Sequence, residues 1–179
     1  MSSSRAGHGP CVRPLPGHGP AVAETVRPVR IAVCGSGAPS AGALADAAEE
    51  VGRHLARAGA VLVCGGLGGV MEAAAQGAVE AGGLTIGILP GTDARDANPY
   101  ITLPLPTGMG EARNALVVRA ADAVLALGGE WGTLSEVALA RKMGIPVVLF
   151  RPGLTASLAL EEAPSAEVAV ARVLELATP

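Results

Sequence analysis

The chain has 179 residues, 50% of them hydrophobic, with 25 Gly but one Trp, one Tyr and one Phe. That length suits one domain that buries a full core without staples, and three Cys do not make a disulfide framework. A formal net charge of -3 argues against a nucleic-acid partner, which needs a dense basic surface, and so few aromatics exclude base-stacking platforms.

Residues 1–29 read differently from the rest. Gly-His-Gly-Pro occurs twice, from Gly7 to Pro10 and from Gly17 to Pro20. This composition predicts an extended, disordered tail ahead of a domain at 30–179. No seven-residue apolar stretch follows Arg5, so the segment does not read as a secretory signal. His8 and His18 are too isolated to hold a metal, and no metal site or resident cofactor is expected. No apolar run approaches the ~18–20 residues of a membrane span. With Cys11, Cys34 and Cys64 expected to be reduced, the chain reads as cytoplasmic, without a membrane partner.

From Val29 one grammar repeats. Val29 to Cys34 is an apolar run ending in Gly35-Ser36-Gly37. Leu44 to Ala58 has helical spacing, with Leu44, Ala47, Ala48, Val51 and Leu55 on one stripe. Val61 to Cys64 is the next strand, followed by Gly65-Gly66-Leu67-Gly68-Gly69 and an Ala-rich helix over Val70 to Ala81. Gly82-Gly83 closes that helix. Strands follow at Leu84 to Leu89 and, after a polar loop, at Ile101 to Leu105. Gly108 to Ala121 reads as a helix, Ala123 to Leu127 as a strand, Leu134 to Met143 as a helix, Pro146 to Phe150 as a strand and Ala166 to Leu176 as the last helix.

Short apolar strands alternating with amphipathic helices predict an α/β fold: a doubly wound, Rossmann-like parallel sheet covered on both faces. Ligands bind such sheets outside the carboxyl ends of the strands. Twelve of the 21 glycines after residue 29 fall at that edge. Glycine permits close backbone approach, and helix N-termini offer free N–H groups with partial positive charge. The turns at Gly35, Ser36 and Gly37, at Gly65, Gly66 and Gly68, and at Gly129, Trp131, Gly132 and Thr133 are therefore candidate binding residues for a phosphorylated small molecule. The dinucleotide signature lacks its third glycine, and no Gly-Lys-Ser/Thr occurs because Lys142 is the only lysine. NAD oxidoreductases and P-loop ATPases are poor fits.

Thr133 followed by Glu136 is also the pattern of a capping box, which satisfies a helix start without any ligand. Arg113, on a neighbouring helix, supplies a guanidinium able to clamp a phosphate. Arg119 lies six residues on and faces largely away from it. Cys34 and Cys64 read as buried small side chains, His54 as a surface or packing residue, and Asp93, Asp96 and Asn98 as a polar loop beside the ligand edge.

Arg113-Asn114, then Ala121-Asp122-Ala123, then a strand and Gly-Thr-x-x-Glu at Gly132 to Glu136 resemble the Lonely Guy (LOG) family. Cys34-Gly35-Ser36 and Gly65 to Met71 match its first two ligand-edge turns. The resemblance implies a Rossmann-like nucleotide-binding protein, with phosphoribohydrolysis of nucleoside 5′-monophosphates as the leading activity and Arg113 and Glu136 as its catalytic pair. It also implies a homo-oligomer. Gly128 stands where that family has Pro, Glu130 where it has Gly, and Asn114 where it has Lys. The sequence around Trp131 is closer to a bacterial branch that includes molybdenum-cofactor carrier proteins. The alternative reading is accordingly a non-catalytic carrier of a phosphorylated pterin, or a nucleotide-sensing protein.

Overall fold

The computed structural model describes residues 27–38 and 42–178. Most of the expected tail therefore lies outside the described residues. Seven strands form one parallel sheet in the order β4-β3-β2-β1-β5-β6-β7. The strands are β1 (Arg30–Gly35), β2 (Val61–Cys64), β3 (Thr85–Leu89), β4 (Leu103–Pro106), β5 (Ala123–Gly128), β6 (Val147–Pro152) and β7 (Glu162–Ala163). The α-helices are α1 (Ala43–Arg57), α2 (Val70–Glu80), α3 (Asn114–Arg119), α4 (Trp131–Met143) and α5 (Ala166–Ala177). The predicted Rossmann-like sheet is therefore present as a single domain.

Strand alternation explains the layers. Ile31 and Val33 of β1 join Leu62, Leu125 and Leu127 in a core closed by α1, α2 and α5. Ala32 and Cys34, one residue out of phase, join Val63, Val124 and Ala126 beneath α3 and α4. Both faces are covered, as a parallel sheet of uninterrupted apolar strands requires.

The chain winds outward from β1 through β2 and β3 to β4, then returns to place β5 on the other side of β1, with Gly35 opposite Leu127. The winding direction reverses between β1 and β5, and this switch point is where such sheets open a crevice at their carboxyl ends. At the opposite end, Asp122 fastens the same two strands. Its carboxylate accepts from the Arg30 amide at 2.9 Å and from the Arg30 and Arg27 guanidinium groups at 3.0 and 2.8 Å. The Ala-Asp-Ala motif thus has a structural job, remote from the ligand edge.

The expected helix over Gly108 to Ala121 is split into a 3-10 turn at Gly110–Arg113 and the short α3. Helix α4 starts three residues earlier than expected, with Glu130 as its N-cap residue and no side-chain cap bond. No capping box between Thr133 and Glu136 forms, because both residues lie inside the helix.

Candidate functional site

A crevice of about 210 Å³ opens at the switch point. Gly35, Ser36, Gly37 and Ala38, from the end of β1, make one wall, and Leu67 and Met71 add an apolar side. Gly132 and Thr133 bring in the first turn of α4, while Arg113, Asn114 and Glu136 also line the crevice. Glu111 and Glu130 line it too, and both are exposed to solvent.

Arg113 and Glu136 are only 5% and 6% exposed, although both carry charge chemistry. They meet as an ion pair, Arg113 Nη1 to Glu136 Oε1, at 3.6 Å. That separation is too long for a strong hydrogen bond, and Arg113 Nε has no partner at all. The guanidinium is placed by β2: a Cβ on Gly65 would sit 2.5 Å from its terminal nitrogens. Gly65 thus serves the site by letting Arg113 lie flat against the backbone.

Thr133 is 2% exposed, and its hydroxyl is buried without a hydrogen-bond partner. Helix α4 makes its first i→i−4 bond from the Leu134 amide to the Glu130 carbonyl at 2.9 Å. The amides of Trp131, Gly132 and Thr133 precede that bond and constitute the positive end of the helix. Gly129, at φ 108, lets the chain turn so closely that a Cβ there would meet the Thr133 side chain at 2.5 Å. The Thr133 hydroxyl and Arg113 Nε are thus two buried polar atoms without a hydrogen-bond partner, both on residues that line the crevice.

Electrostatics sharpen the pair. Burial lifts the Glu136 pKa from 4.5 to about 7; the Arg113 cation and a hydrogen bond from the Cys34 thiol oppose the rise, and the Glu111 carboxylate adds to it. Burial, then the neighbouring Glu136, hold the Cys34 thiol well above its ordinary range. Burial likewise pushes Cys64 up to about 12. Both thiols are free and buried. They project to opposite faces of the sheet, because they fall in different halves of the core.

Of the residues singled out from sequence, Arg113, Glu136, Gly35, Ser36, Gly37, Gly132 and Thr133 line one crevice. Gly65 and Gly129 lie behind it as packing partners of Arg113 and Thr133. Gly66 packs against Leu89 and Gly87, and Gly68 approaches the Gly37 carbonyl. Trp131 begins α4 but is 77% exposed and is not part of the lining. Arg119 is exposed. Asn98 holds the apolar side in place, donating to the Leu67 carbonyl at 2.8 Å. Asp93 instead engages Arg95.

Leu67 and Met71 fall within the Gly65 to Met71 stretch matched to a ligand-edge turn but were not singled out as binding residues, and Glu111 was missed altogether. Their signal was position alone: Leu67 lies in the turn after β2, Met71 in the first turn of α2, and Glu111 in the 3-10 turn after β4. Sequence reasoning also gave Asn114 no contact, whereas the Asn114 amide donates to the Ser135 hydroxyl at 3.0 Å. That hydroxyl in turn donates to the Gly132 carbonyl at 2.7 Å, so Asn114 braces the first turn of α4.

Fold and site together define a Rossmann-like α/β protein with a glycine-lined crevice at its topological switch point. The chain belongs to the SLOG cluster4 family, whose model matches residues 28–178. It is similar to an uncharacterized protein of Archaeoglobus fulgidus, with 45% identity over 106 residues, spanning 59% of this chain and 69% of that one. Among solved structures it is similar to the molybdenum cofactor binding protein from the phototrophic bacterium Rippkaea orientalis. That likeness has 37% identity and a TM-score of 0.80, covering 86% of this chain and 100% of the other. It is also similar to the molybdenum cofactor carrier protein MCP from Chlamydomonas reinhardtii, with 36% identity and a TM-score of 0.78, covering 86% and 100%. The resemblance to LOG-like proteins, on the branch that includes such carriers, therefore holds at the level of family. Among the described residues, no helix is long and apolar enough to cross a membrane.

Proposed function

We propose that this protein binds a phosphorylated pterin of the molybdenum-cofactor type in the β1–β5 crevice and releases it unchanged to a recipient. The observation that carries this reading is the unfilled polar cradle formed by Thr133, the start of α4 and Arg113. A phosphate there accepts from helix amides and the Thr133 hydroxyl, while Arg113 supplies charge. Leu67 and Met71 offer apolar surface to the ring. Similarity over 86% of the chain to the Rippkaea orientalis and Chlamydomonas reinhardtii proteins supports this carrier reading.

Hydrolysis of a nucleoside 5′-monophosphate, the reading placed first from sequence, is the second candidate. One observation favours it: a carboxyl with a pKa of about 7 is suited to donate a proton to a departing base. Two features weigh against it. Glu136 is already engaged by Arg113 and Cys34, and Glu130 adds a carboxylate at the mouth.

The two readings part on a single experiment. Purified protein is incubated with molybdopterin, and separately with adenosine or isopentenyladenosine monophosphate. The expected result is co-elution of molybdopterin with the protein and no free base from either nucleotide. Release of base that Glu136→Gln abolishes would replace the carrier with an enzyme.

A further inference from the structure

We propose that Glu111 and Glu130 make the mouth of the crevice a charge gate that favours a ligand bearing one phosphate over a diphosphate. This rests on the anion cradle described above and concerns which anions it accepts.

Among the described lining residues Arg113 is the single cation, against three acidic side chains, Glu111, Glu130 and the half-ionised Glu136. Arg113 is also shared with Glu136 at 3.6 Å. The interior therefore recognises an anion chiefly through neutral donors, the α4 amides and the Thr133 hydroxyl. These are directional and suffice for one phosphate.

The side-chain carboxylates of Glu111 and Glu130 make no hydrogen bond or ion pair among the described residues, although both backbone carbonyls accept helix bonds. Glu130 occupies the N-cap position of α4 without a side-chain cap bond. Glu111 lies in the 3-10 turn two residues before Arg113. No side chain neutralises either carboxylate among the described residues, and Glu130 shares the positive end of α4 with any anion held there. Glu130 directly precedes the helix turn that would grip the first phosphate, so a second phosphate bonded to it would approach the carboxylate-bearing mouth. Repulsion between partly solvated like charges is worth about three- to tenfold in affinity per carboxylate at low salt, shrinking as salt is added.

The test uses orthophosphate and pyrophosphate as probes, titrated into the full-length protein and into Glu111→Gln, Glu130→Gln and the double variant. Both positions are exposed, so the variants are expected to fold. Wild-type protein is expected to bind orthophosphate more tightly than pyrophosphate, although pyrophosphate carries more charge. Each substitution is expected to raise the pyrophosphate-to-orthophosphate affinity ratio about three- to tenfold. Pyrophosphate binding as tightly as orthophosphate to wild type, or an unmoved ratio in the double variant, would overturn the gate and leave the cradle standing. No orthophosphate binding to any form would instead remove the cradle itself, and the gate with it.

Discussion

Replacing Glu136 with Gln is expected to leave stability nearly unchanged at about pH 4 and to raise it by about 3 kcal/mol at about pH 8. The sign follows from linkage. Burial lifts the folded-state pKa of Glu136 from 4.5 to about 7, so between those values the folded protein keeps a proton that the unfolded chain has lost. Folding then weakens as pH rises through that window, and the full cost is present above it. Gln resembles the protonated carboxyl and does not titrate, which removes the slope. Arg113→Met is expected to do the reverse at alkaline pH: without the cation the cost of ionising Glu136 grows, so the variant's deficit widens above pH ~7. Urea unfolding of the three proteins across this range checks both signs. A Glu136→Gln protein that tracks wild type at every pH would mean that the carboxylate is not buried as described. Retention of a group that lowers stability near neutrality fits the proposed binding site, in which Glu136 would hold the Arg113 guanidinium for an anion.

Gly77→Ala is expected to destabilise the protein by about 3 kcal/mol, although helix propensity alone predicts a gain of about 1 kcal/mol for the same change. Helices α1 and α2 cross at two glycines, so their backbones nearly touch. A Cβ on Gly77 would lie 1.9 Å from the Glu49 carbonyl oxygen, and one on Gly52 would lie 1.9 Å from that of Ala74. Neither obstacle is a flexible side chain, so the helices must separate. Because α2 carries Met71 and α1 packs against β2 and β5, that separation would also loosen one side of the crevice. Thermal unfolding of Gly77→Ala and Gly52→Ala checks the prediction, and a rise in Tm for either would contradict so close a crossing.

These glycines also show what was legible in the sequence. The surplus at strand ends pointed to a ligand edge, and Gly35, Gly37 and Gly132 do line the crevice. Gly52 and Gly77 carry no local signal, since their purpose depends on how two successive helices cross. Strand β2 matched its apolar run residue for residue because Val61 to Cys64 is buried throughout and a glycine turn follows it. Strand β7 has two residues, too few for any period to show. The most instructive difference is the start of α4. Thr-x-x-Glu reads locally as a cap, but with Glu130 as the N-cap residue the same two side chains are carried into the buried interior. There Glu136 meets Arg113 from the turn before α3 and Cys34 from β1. Local patterns could nominate Arg113 and Glu136, but only the topological reversal between β1 and β5 brings them within 3.6 Å.

If α4 and Thr133 hold the ligand by its phosphate as proposed, Thr133→Val is the substitution that shows it most directly. The substitution removes a buried hydroxyl that has no partner, so the unliganded protein is expected to be as stable as wild type or slightly more so. Equilibrium binding of molybdopterin and of the same pterin without its phosphate is the direct measurement. Wild-type protein is expected to retain molybdopterin, to bind the dephosphorylated form at least about tenfold more weakly, and to lose about tenfold in molybdopterin affinity on Thr133→Val. Equal affinity for the two pterins, undiminished in Thr133→Val, would contradict the phosphate cradle.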